Sequence, residues 1–142
     1  MFVVTPNGIK YNPTLKLYKG QTYKFDINSP GYPVAIATNR SYIDQDYSAN
    51  IDIQNTSNLY TTGIKKYIYK DDGSLEITTQ HYIEHGVIEF TVSDTIPDTL
   101  FYISESDGDT SGILNFFNIS EILNKSVWPS QYAKTLRMIS AS

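Results

Sequence analysis

Both histidines of the chain, with a glutamate between them, fall in one pentapeptide, His81-Tyr-Ile-Glu-His85. On a helix, this H-x-x-E-H spacing puts the two imidazoles on one face for zinc and a carboxylate beside the metal-bound water. The flanks do not support a helix here: Leu75-Glu-Ile-Thr78 ends a few residues earlier, and an alternating run opens at Gly86. In an extended chain His81 and Glu84 point to opposite faces, and the constellation dissolves. With no third ligand identifiable, the segment reads as histidines beside a strand.

A second group, Glu105, Asp107 and Asp109, has the one-three-five spacing of a calcium loop. The rest of that motif is missing, because its glycine position falls on Thr110 and its bidentate glutamate on Phe116. A loose calcium site on these carboxylates stays open beside the plainer reading of a solvated acidic turn. There is no cysteine to serve as nucleophile, thiolate ligand or disulfide partner. Neither G-x-S-x-G nor a phosphate-binding G-x-x-x-x-G-K-[ST] occurs. The expectation is a chain that is not an enzyme and carries no cofactor.

The 142 residues fit one ordinary domain. Eleven basic and fifteen acidic side chains give a net charge of −4, scattered along the sequence. No basic stripe is available to neutralise a phosphate backbone, so nucleic acid is not an expected partner. The start, Met1-Phe-Val-Val-Thr-Pro, lacks the charged and apolar regions of a signal peptide, and no run approaches the length of a membrane span. Neither secretion nor membrane association is expected.

The elements that would position any site are strands. Twelve Tyr and six Phe, with many Ile, Val and Thr, favour half-buried pleated structure. Leu15-Lys-Leu-Tyr18 and Tyr23-Lys-Phe-Asp-Ile27 alternate at period two around the turn residue Gly20. A third strand, Val34-Ala-Ile-Ala37, follows the breaker cluster Ser29-Pro-Gly-Tyr-Pro33. Asp72-Gly73 between Lys66–Lys70 and Leu75–Thr78 predicts a hairpin. Val87–Val92, Leu100–Ile103 and Ile113–Ile119 complete a set of seven to nine short strands. That spacing predicts an all-β, antiparallel or mixed Greek-key sandwich. After Ser120, apolar residues from Ile122 to Ile139 recur near helical spacing, interrupted by Pro129. The expected division is a sandwich over 1–119 and a partly helical or irregular tail or linker over 120–142.

Four segments in order carry a resemblance: Asn12 to Asn28, Ser29-Pro-Gly-Tyr-Pro33, Gly86-Val-Ile-Glu-Phe-Thr-Val92 and Pro97-Asp-Thr-Leu-Phe-Tyr102. Together they resemble cupredoxin-like modules of marine bacteriophage virion proteins, especially those of T4-like cyanophages. The likeness covers about residues 10 to 119, with a longer hairpin after Thr62-Gly63-Ile64 than that pattern has. In the copper-binding form two histidines, a cysteine and an axial methionine hold the metal. Matched onto this chain, those positions fall on Tyr32, Ser104, Asp107 and Thr110, none of which suits copper. The resemblance implies a module with its metal site lost, and Tyr32 and the Ser104–Thr110 loop neighbours at one end of the sandwich.

It also implies a virion protein made in the host cytoplasm, a structural part of a tail, baseplate, fibre or capsid-associated assembly. Its partners would be other virion proteins and further copies of itself. Val127, Trp128, Tyr132 and Leu136 are the expected docking residues of the tail. The alternative is a receptor- or glycan-binding module of an adhesion apparatus, using the polar Thr38–Thr62 loop with Tyr42, Tyr47 and Tyr60 as its recognition surface.

Overall fold

The computed structural model describes residues 1–5, 8–39, 58–104, 111–118 and 134–139. In chain order they form β1 (Phe2–Thr5), β2 (Gly8–Tyr11), β3 (Leu15–Tyr18), β4 (Thr22–Asn28), β5 (Val34–Ala37) and β6 (Ile64–Tyr69). There follow β7 (Leu75–Ile77), β8 (His85–Thr91), β9 (Thr99–Ser104), β10 (Ser111–Phe117) and β11 (Thr135–Ile139). No helix occurs among the described residues.

Period-two patterning decides which face of each strand is inside. In β4, Tyr23, Phe25 and Ile27 are buried while Lys24 and Asn28 face solvent. In β8, Ile88 and Phe90 are buried while His85 and Thr91 are exposed. These faces join two sheets, a seven-stranded one in the order β2, β1, β11, β4, β8, β6, β7 and a four-stranded one in the order β3, β10, β9, β5. The core is shared: Val3, Phe25, Ile88, Leu136 and Met138 of the larger sheet cluster with Leu17, Ile36, Leu100, Tyr102 and Leu114 of the smaller. Phe90 meets Phe116 edge to face across the sheets, with ring centroids 5.9 Å apart. Each fully buried aromatic or branched aliphatic side chain contributes about 2 kcal/mol. The result is the expected all-β sandwich with mixed sheets.

Three features differ from the sequence reading. The turn at Gly20 (φ 84°) does not close a hairpin, because β3 and β4 belong to different sheets. Gly20 N–H donates instead to the Val92 carbonyl (2.8 Å), tying the crossover to the end of β8. Secondly, Phe2–Thr5 and Gly8–Tyr11 form an antiparallel pair at the edge of the larger sheet. Thirdly, the described part of the expected helical tail is a strand: β11 runs parallel to β4 and antiparallel to β1. Thr135-Leu-Arg-Met-Ile139 alternates at period two, and Leu136 and Met138 meet the core only if that period is used. The sheet therefore takes in a strand from beyond residue 119.

The free edge of β5 is covered. Val34 and Ile83 exchange backbone hydrogen bonds of 2.9 Å, and Leu59 bridges Ala37. The outward side chains of this strand, Ala35 and Ala37, lie under Tyr82 and Leu59. Hence Val34-Ala-Ile-Ala37 is buried on both faces, as its uninterrupted apolar run requires.

Candidate functional site

The register of β5 on β9 places Val34 opposite Ser104. Tyr32 lies two residues before Val34, so Tyr32 and Ser104 stand at the same end of the smaller sheet. Tyr32 is packed against the core, with its N–H donating to the Ser29 carbonyl (2.9 Å) and its own carbonyl accepting from Ser29 Oγ (2.8 Å). Ser104 is buried. Asp107 and Thr110, the remaining two positions, lie outside the described residues, as do Glu105 and Asp109.

The H-x-x-E-H segment is not helical. Tyr82 and Ile83, between the histidines, are buried and pin it to β5, while His85 opens β8 on the solvent side. The His81 carbonyl accepts from Lys66 Nζ at 3.0 Å. Burial pushes the Lys66 ammonium below its ordinary pKa. Among the described residues no group of three His, Cys, Asp or Glu side chains converges as a metal site would require.

Two residues expected on interaction surfaces are committed to packing. Leu136 is 3% exposed in β11, facing the core, so it cannot serve the docking arm proposed for it. Tyr60 is half-buried, with its ring 6.0 Å from Phe90 and its N–H bonded to the Ile36 carbonyl. Val127, Trp128 and Tyr132 of the tail, and Tyr42 and Tyr47 of the loop, lie outside the described residues.

The outer face of the seven-stranded sheet carries the larger surface feature. Directly opposed residues share a face of a sheet, so the registers define rows across it. One row runs Tyr11, Phe2, Ile139, Asn28 and His85 and continues to Tyr69 and Leu75. The next runs Ile9, Val4, Arg137, Asp26, Val87, Tyr67 and Ile77. Both rows are apolar or aromatic at their ends and polar in the middle. Among the described residues, the large exposed apolar side chains are Ile9 (61%), Tyr11 (52%), Leu75 (45%) and Ile77 (69%), at the two flanks. Phe2 packs edge to face on Tyr11, with centroids 5.2 Å apart.

Between the flanks lies an open, polar cleft of about 200 Å³ lined by Asp26, Asn28, Tyr69, His85, Arg137 and Ile139. The Tyr69 ring lies against the His85 imidazole at 4.8 Å, tilted by 37°, and its hydroxyl donates to Asp26 Oδ1 at 2.8 Å. Partial desolvation, helped by that hydrogen bond and the negative charge of Asp26, raises the Tyr69 pKa. Sequence reasoning did not single out this cleft, because its residues come from four strands between Asp26 and Ile139 that only the sheet order brings together. His85 was noticed, but for a different chemistry.

No family model, curated protein or solved structure matches the chain.

Proposed function

We propose that this chain is a non-enzymatic structural module of a bacteriophage virion, acting in subunit–subunit assembly in a tail, baseplate, fibre or capsid-associated position. The setting rests on the resemblance of residues 10 to 119 to virion modules of that kind. The observation that carries the assembly role is the outer face of the larger sheet, where Ile9, Tyr11, Leu75 and Ile77 stay exposed at both flanks of one surface. Exposed large apolar groups gathered on one face mark interaction sites more often than solitary ones do. Seven strands at about 4.8 Å spacing put the two flanks roughly 30 Å apart, so each flank can meet a different neighbour while the polar middle stays open. The occupants are further copies of the chain and neighbouring virion subunits.

Sedimentation velocity on the full chain tests this with the double variant Ile9→Lys, Ile77→Lys. The wild type is expected to sediment as an oligomer and the variant as a monomer with an unchanged melting temperature. Both substitutions are on exposed side chains, so stability should be spared. A wild type that is strictly monomeric at high concentration, together with a variant that enters assembled particles normally, would overturn the proposal.

A further inference from the structure

We infer that the cleft formed by Asp26, Asn28, Tyr69, His85, Arg137 and Ile139 is a binding site for a neutral saccharide, sized for a single sugar ring. This goes beyond the assembly role and does not rest on it, because the cleft occupies the polar middle of the face whose flanks carry assembly.

Three features of the cleft select the ligand. First, its polar groups are of mixed type. Arg137 offers a planar fork of donors, Asp26 an acceptor, and Asn28 and His85 both kinds. Among the described residues the side chains of Arg137, Asn28 and His85 make no hydrogen bond or ion pair, although all three line the same cleft. A sugar hydroxyl both donates and accepts, so it can accept from the Arg137 fork, donate to Asp26, and do either with Asn28 and His85.

Secondly, the charges cancel. Arg137 and Asp26 are direct cross-strand partners and both line the cleft, so one positive and one negative side chain share it. An inorganic anion drawn to Arg137 meets the opposing charge of Asp26 in the same cleft, and a cation drawn to Asp26 meets Arg137. A neutral ligand pays neither repulsion.

Thirdly, one wall is aromatic and already fixed. Tyr69 reaches from β6 past β8 to Asp26 on β4, held by its hydroxyl and by the His85 ring. Its hydroxyl orients the carboxylate, so less side-chain freedom is lost on binding. With Ile139 it gives the carbon–hydrogen face of a sugar an apolar surface, while the mostly polar, open mouth suits a ligand that stays partly hydrated.

The test is a titration of the isotope-labelled full chain followed by ¹H–¹⁵N NMR. The probes are the methyl glycosides of glucose, galactose, mannose and N-acetylglucosamine, with sodium phosphate and calcium chloride as separate arms. At least one glycoside should shift the resonances of Asp26, Asn28, His85 and Arg137. Arg137→Ala and Tyr69→Phe should each weaken that response about tenfold. Lys24→Ala, on the same face but outside the cleft, should leave it unchanged, and the dispersion of each spectrum reports that the variant is folded. The inference is overturned if no glycoside shifts these resonances, if phosphate or calcium alone does so, or if the response survives Arg137→Ala.

Discussion

Gly86 shows how much one residue can decide in this molecule. It is paired with Ile27 on one side and Ile68 on the other, and a Cβ there would collide with the Tyr67 carbonyl oxygen. That contact is backbone and cannot swing aside. Gly86→Ala is therefore expected to cost about 3 kcal/mol, read as a lower urea midpoint.

Buried Tyr23 sets a pH limit. Its phenol is pushed above the ordinary value of 10.0 by burial, against the opposing pull of the hydrogen bond from Tyr18 N–H. A raised folded pKa means that its stabilisation is intact below pH 10.0 and lost as the pH climbs through the folded value. Tyr69 has the same sign. Lys66, lowered from 10.5, has the opposite one: the fold gains stability as the pH rises from its depressed pKa towards 10.5. Stability should consequently fall above pH 10, once the tyrosines dominate. Tyr23→Phe should flatten that fall and, at neutral pH, cost about 1–3 kcal/mol for the stranded Tyr18 N–H. Denaturant midpoints measured across pH check both parts.

Among the elements, the β6–β7 hairpin was the most legible. Gly73 takes φ 85°, Lys70 N–H donates to the Ser74 carbonyl at 2.8 Å, and Asp72 Oδ1 accepts from both the N–H and the hydroxyl of Ser74. Local chemistry specifies such a turn completely, so the Asp-Gly pair sufficed. Gly73→Ala should lower stability by about 1 kcal/mol, visible as a reduced melting temperature.

The last strand, β11, is the opposite case. In so short a run Leu136 and Ile139, three apart, fit a helix while Leu136 and Met138, two apart, fit a strand, and the spacing of Ile122, Leu123, Val127 and Tyr132 before them pulled the reading towards a helix. Its hydrogen-bond partner β4 lies more than a hundred residues earlier, and a parallel pairing at that distance leaves no local trace. Because Leu136 faces the core, Leu136→Ala should cost about 3 kcal/mol in a monomeric sample, well before any effect on assembly.

For the molecule as a whole, β11 is the strand that joins the β2–β1 pair to β4 and the rest of the larger sheet. Removing residues 134–142 would expose two unpaired edges and separate the sheet into parts. The truncated chain is expected to lose its single cooperative urea transition and to aggregate, as circular dichroism and light scattering would show.

By itself the sequence determined the fold class and most of the strands. Alternation at Tyr23, Phe25 and Ile27, or at Ile88 and Phe90, is a burial instruction written locally. Only the tertiary structure decided the strand order, the β3-to-β4 crossing between sheets and the place of β11. It alone set Asp26, Arg137, His85 and Tyr69 around one cleft. The physical reason is range: periodicity reports which face a side chain shows, whereas a surface site depends on which strands become neighbours, and that is settled by packing between residues far apart in the chain.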